Sequence, residues 1–213
     1  MQKIMFDDKF GLTQAVLNGT KTMTRRKEPS LSQLPEEIRD DEYIMQTIRE
    51  DSILVERCYK GAKFGSWVVR PRFYLFETVA IAQNYESIAN SHYCEEIGMM
   101  DSPTTFKKEF CGIGWRNKMF VKPEYMPHQI RITDYRVERL QQISDDDCLK
   151  EGIYVQKTLP KGYAYDATID KNRKRWWFGT AKKAFEALIN KISGKGTWNR
   201  NPWVLVYSFE LIK

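Results

Sequence analysis

Apolar residues in this chain fall into short runs whose spacing changes from one segment to the next. In "KIMFDDKFGLTQAVLNG" a brief alternating stretch gives way to Leu12, Ala15 and Val16 at helical spacing, which predicts a strand and then a helix over roughly 12–18. Gly19 stands where such a helix needs a left-handed residue to end. "KTMTRR" follows, rich in β-branched threonine, and reads as extended. From 27 to 51 the chain turns polar and acidic, which predicts an excursion outside the core. "ETVAIAQNY" at 77–85 is a compact β-type run. "HQIRITDYRVERL" at 128–140 alternates at Ile130 and Ile132 and then shifts phase to Tyr135 and Val137, so a bulge or tight bend is expected near Asp134.

"ISDDDCLKEGI" carries Ser144 as an N-cap, Asp147 three residues on, acidic residues in the first turn and Gly152 as a stop, predicting a short helix at about 145–151. The stretch from 154 to 179 mixes glycine, proline, charge and aromatics without periodicity and reads as a long loop. Thr180 then caps a helix whose Phe185, Leu188, Ile189 and Ile192 share one face, with Gly194 as its end. "SGKGTW" at 193–198 lacks phosphate-loop spacing and follows a helix rather than preceding one, so it reads as a turn into the last strand, "NPWVLVYSFELI". There is no regular βαβ alternation. The order predicts an α+β fold, a curled mixed or antiparallel barrel with short helices at its edge. One domain spans 1–213, with insertions near 27–70, 86–115 and 154–179.

Composition narrows the chemistry. At 213 residues, 42% of them hydrophobic, the chain can bury a core, and none of its apolar runs approaches the roughly 20 residues of a spanning helix. The charged start "MQKIMFDDKF" lacks the apolar centre of a secretory signal, so a cytoplasmic location without membrane attachment is expected. Cys58, Cys94, Cys111 and Cys148 form no C-x-x-C pair, and His92 and His128 are the only histidines, so neither a metal site nor a cofactor is expected. A net charge of +6 suits an anionic partner. "KNRKRWW" reads either as Arg173, Lys174 and Arg175 for phosphates beside Trp176 and Trp177 for stacking, or as a solvated loop with its tryptophans tucked onto the barrel, and Gln83 either as a ligand contact at a barrel mouth or as an ordinary strand-end residue.

"LNGTKTMTRR" contains Gly19, Lys21, Thr24 and Arg26 in the spacing G-x-K-x-x-T-x-R. This resembles the ASCH family, related to the PUA fold, whose signature near the N-terminus is G-x-K-x-x-E-x-R. The likeness extends to "ETVAIAQNYESI", "KMFVKPEYMPHQIRITDYRVERLQQISDDDCLKEGI" and "AFEALINKISGKGTWNRNPWVLVYSFEL", which look like blocks of longer bacterial and phage ASCH proteins. The resemblance implies a PUA-like barrel with a cleft beside the first helix, and a role in binding or processing RNA or a modified nucleoside. Thr24 departs from the usual glutamate and matches a small subgroup of amidohydrolases acting on N4-acylated cytidine nucleosides through a lysine, a threonine and a glutamate. By that likeness the trio is Lys21, Thr24 and Glu151.

The chemistry of these residue types fits such a reaction. A lysine acts as a base once burial lowers its pKa, and a threonine hydroxyl needs that base to attack an amide carbonyl. Glu151, at a helix C-terminus, is placed to donate a proton or pair with Lys21, and Arg26 to hold an anionic or carbonyl group. The expectation is that Lys21 and Glu151 meet at one cleft and that each member of the trio is needed for turnover and not for folding. A non-catalytic RNA-binding module is the alternative, with a ribonuclease behind it.

Overall fold

The computed structural model describes residues 1–39, 42–89, 112–156, 162–164 and 177–212. Along the chain the strands are β1 (Gln2–Ile4), β2 (Met23–Arg26), β3 (Glu42–Ile48), β4 (Ile53–Tyr59), β5 (Ala62–Val69), β6 (Thr78–Ile81), β7 (Gln129–Arg139), β8 (Tyr154–Gln156), β9 (Gly162–Ala164) and β10 (Trp203–Leu211). The helices are α1 (Leu12–Leu17), α2 (Tyr85–Ala89), α3 (Asp145–Lys150), α4 (Ala181–Ile192) and α5 (Thr197–Arg200), with short 3-10 turns between them. The architecture is α+β. None of the described helices is long and apolar enough to cross a membrane.

The chain divides into two compact units. The first comprises Met1–Phe6, Thr78–Arg131 and Leu211–Lys213, as far as these are described. Its strand order is β1-β6-β7, with β1 parallel to β6 and β6 antiparallel to the first residues of β7. Ala80, Ala82, Tyr85, Ile88, Val121 and Met126 form its core. The Lys3 amine ties this unit's edge by donating to the carbonyls of Lys118, Met119 and Val121 at 3.2, 2.5 and 2.7 Å.

The second unit, Asp7–Glu77 and Ile132–Glu210, carries the predicted trio. Here the order is β7-β10-β2, and β10 runs antiparallel to β2 with Tyr207 opposite Thr24 and Val206 opposite Arg25. The expected change of phase is present in β7: Ile130 and Ile132 are buried in its first half, Tyr135 and Val137 in its second. The final strand is buried almost throughout.

Three local readings differ from what the pattern predicts. The polar stretch after Lys27 leads into a three-stranded antiparallel sheet, β3-β4-β5. Its hairpin escapes detection because β3 and β5 leave most residues partly or fully exposed. Gln46 fastens this sheet to β7, donating to the Val137 carbonyl at 2.5 Å and accepting from the Val137 amide at 2.8 Å in imitation of a ladder pair, and the Tyr135 hydroxyl of β7 donates to the Arg49 carbonyl beyond β3. Within the expected long loop, β8 and β9 pair as a short hairpin. Helix α4 has the predicted Thr180 cap, but Ile192 is exposed, and one turn of helix, α5, intervenes before the last strand.

Candidate functional site: a buried lysine and glutamate

Local geometry delivers Lys21 to the interior. Helix α1 stops at Asn18, Gly19 takes φ +70°, and the amides of Thr20 and Lys21 both donate to the Ala15 carbonyl at 2.9 Å, turning the chain back on its own helix. Thr22 then donates to the Lys150 carbonyl at 2.9 Å, binding the segment to the end of α3. Helix α3 is capped at its start by Ser144, whose hydroxyl accepts from the Asp147 amide at 3.1 Å, and ends before Gly152 at φ +100°. A Cβ on Gly152 would crowd Leu12 Cδ2 at 3.3 Å and lie at an ordinary packing distance, 3.7 Å, from Lys21 Cδ, so the positive φ is the main demand for glycine here.

Lys21 and Glu151, 130 positions apart, meet in direct contact, but in a buried interior rather than at the expected cleft, and neither lines the cavity at Gly152 or the one beside Arg136 and Glu138. The Lys21 ammonium donates to Glu151 Oε2 at 2.6 Å, to the Glu151 carbonyl at 2.9 Å and to the Met23 carbonyl at 2.7 Å. Three acceptors match the three protons of an ammonium. Lys21 is 2% and Glu151 4% exposed. Burial lowers the Lys21 pKa below its ordinary 10.5; Glu151 opposes that shift, while Arg26 and Arg25 add to it.

Arg25 completes the centre. Its guanidinium donates to Glu151 Oε1 at 3.1 Å, so each carboxylate oxygen of Glu151 has its own cation. It also donates to Glu138 Oε1 through Nε at 2.8 Å and Nη2 at 2.6 Å, and to Asp147 Oδ2 at 3.0 Å. Arg136 closes the chain of charges by donating to Glu138 Oε2 at 3.0 Å and Asp147 Oδ2 at 2.6 Å. Burial works against the Arg25 charge, and Glu151 and Glu138 together outweigh it, so Arg25 holds its proton more tightly than usual. The sequence reading passed over Arg25, Glu138 and Arg136. Their signal was present in "YRVER", where Arg136 and Glu138 sit two apart and therefore share a strand face.

Thr24 is buried, but among the described residues no hydrogen bond joins its hydroxyl to Lys21 or Glu151. Alternation along β2 sends its side chain to the face opposite Arg25, the face of Arg26 and of its cross-strand partner Tyr207. Arg26 stays electrostatically coupled to Glu151 and Lys21, and burial lowers its pKa against the pull of Glu28. Tyr207 donates to Glu28 Oε1 at 3.1 Å and accepts from the Arg72 amide at 2.9 Å, so this second face is polar too.

Gln83 belongs to the first unit, and its Oε1 is buried with no hydrogen-bond partner among the described residues. Trp177 is exposed, with its ring edge-on to Tyr154 at 6.1 Å. Arg173, Lys174, Arg175 and Trp176 lie outside the described residues, as do Cys94, Cys111 and His92. Behind Gly152 a cavity of about 300 Å³ is lined by Phe10, Gln14, Asn18, Thr20 and Tyr154 among others, and beside Arg136 and Glu138 a second of about 830 Å³ reaches Tyr43 and Trp203.

Comparison with known proteins adds no family to this geometry: no family model, curated protein or solved structure matches the chain.

Proposed function

We propose that the chain is an ASCH-type protein with a PUA-like barrel, that it works in the cytoplasm on RNA or a modified nucleoside, and that its most specific reaction is hydrolysis of the amide of an N4-acylated cytidine. One observation carries this reading: a lysine and a glutamate far apart in the chain are brought within 2.6 Å in a desolvated interior that lowers the lysine pKa. The 300 Å³ cavity lined by Gly152, the residue after Glu151, is large enough for a small ligand, although neither Lys21 nor Glu151 lines it.

In this reading Lys21 passes one proton to Glu151 and becomes a neutral amine. The amine takes the Thr24 hydroxyl proton as Oγ1 bonds to the acyl carbon. The C–N4 bond breaks with its electron pair on nitrogen, which receives a proton from Glu151. Water then cleaves the threonyl ester, releasing the carboxylic acid and restoring Thr24. The step requires the Thr24 hydroxyl, which lies on the Arg26 face of β2 with no hydrogen bond to Lys21 among the described residues, to come within reach of the Lys21 amine.

The test is incubation with a panel of N4-acylated cytidines, reading released cytidine by chromatography. Turnover is expected in the parent and a loss of several orders of magnitude in Thr24→Val. Undiminished turnover in Thr24→Val excludes the nucleophile, and no turnover by the parent excludes the reaction.

The second reading is a non-catalytic RNA-binding module. It is favoured by the pairing itself: the Lys21 protons already face three acceptors, and Glu151, Arg25, Glu138, Asp147 and Arg136 form a closed alternation of charge, as a purely structural network does. RNA contact then falls to Arg173, Lys174, Arg175, Trp176 and Trp177.

A further inference from the structure

The hairpin joining β4 and β5 is irregular in two places, and both bring an exposed side chain forward. Its turn is Lys60-Gly61, with φ +47° and +81°. Two positive values mark the type I′ turn, for which Asn-Gly is the favoured pair and lysine a strained occupant of the first position. Four residues on, the register slips: Arg57 pairs with Gly65 and Cys58 with Lys63, leaving Phe64 as the extra residue of a bulge. Phe64 is 52% exposed. An asparagine at the first turn position would carry less backbone strain than this lysine.

The side chains gathered here have one chemistry in common. The Lys60 amine lies 5.2 Å from the Tyr59 ring centroid, and the Arg57 guanidinium 5.1 Å from that of Phe64. Gly65 has no side chain, and the Trp67 indole occupies the space: a Cβ there would come within 2.8 Å of Trp67 Cη2. Tyr59, Phe64 and Trp67 thus set aromatic rings along the hairpin among Arg57, Lys60 and Lys63. Arg57 is tied to Glu42 and Lys63 to Glu56 at 2.8 Å, while Lys60 makes no ion pair among the described residues. Exposed rings interleaved with cations complement a chain of flat bases and regularly spaced phosphates.

We propose that the β4–β5 hairpin tip is a docking surface for single-stranded RNA, with Tyr59 and Phe64 stacking on bases and Lys60 on a phosphate. This rests on the RNA part of the reading above and is independent of chemistry at Lys21.

The experiment is fluorescence anisotropy with a labelled oligouridylate between about 50 and 200 mM salt, with thermal unfolding and light scattering alongside. The parent is expected to bind with affinity falling as salt rises. Phe64→Ser should weaken binding about tenfold. Lys60→Asn should weaken it several-fold and reduce the salt slope by about 0.7, while keeping or raising the thermal midpoint. Loss of affinity with gain of stability is an outcome that damaged folding does not produce. Parent-like binding and salt slopes in both variants overturn this surface and leave the RNA reading standing. A parent that does not bind RNA overturns both. A dimer of the parent that Phe64→Ser dissociates, with RNA affinity unchanged, assigns the tip to a second copy of the chain and overturns the proposal.

Discussion

The Lys21–Glu151 centre and the β4–β5 hairpin tip belong to the same unit and treat charge in opposite ways. At the centre the cations and carboxylates meet in direct ion pairs, because an unpaired charge there has no water to fall back on. At the tip Lys60 is exposed, so the structure tolerates a strained lysine and rings that stay largely open to solvent. The difference separates two kinds of evidence for function. A buried network is explained at least in part by its own stability, whereas an exposed and strained arrangement is not. The centre is therefore the more specific chemical hypothesis, and the tip is the one less easily ascribed to folding.

Substitutions that break the comparison begin with Glu151→Gln. It leaves Lys21 and Arg25 buried without their shared carboxylate and should cost about 3 to 5 kcal/mol in urea unfolding. The burial of the pair thus revises the expectation that the trio is needed for turnover and not for folding. A far smaller cost would mean that water reaches the centre. The double variant Lys21→Met with Glu151→Leu should recover part of the loss, since it removes charges from both sides.

Gly152→Ala comes next, at about 1 to 3 kcal/mol, because alanine at φ +100° is strained and its methyl crowds Leu12. An unchanged unfolding midpoint would show that the turn relaxes without disturbing Lys21.

A pH series sharpens the contrast further. The folded Lys21 pKa lies below its unfolded 10.5, so between the two values the unfolded chain binds more protons and stability rises with pH. The parent should therefore gain stability relative to Lys21→Met as pH climbs through the folded value toward 10.5, by at most about 1.4 kcal/mol per pH unit. Equal pH slopes in the two proteins would mean that Lys21 titrates as it does in water. At the tip, Lys60→Asn should raise stability by a few tenths to about 1 kcal/mol, the smallest effect of the set and the only gain.

Much of the local structure was legible in sequence because it depends on neighbours a few residues away. The Ser144 and Thr180 caps, the Gly19 and Gly152 endings and the continuous apolar run of the last strand are all written in short windows. The hairpin was missed because β3 and β5 bury too few side chains to leave an alternating pattern. Of the site, Lys21 and Glu151 were named through a family resemblance, and no periodicity pairs residues 130 apart. Arg25 was overlooked because its partners, Glu138, Asp147 and Glu151, lie on two distant elements.

By itself the sequence determined where the helices at Gly19 and Gly152 stop, that the last strand is apolar and that a lysine lies two residues after the left-handed Gly19. Tertiary structure alone decided that this lysine meets a carboxylate in a dry interior, that Arg25 holds the other oxygen, and that Thr24 faces away from Arg25. Side-chain periodicity records which face of an element is covered, but a charge pair depends on how two elements approach, and that is set by packing across the whole unit.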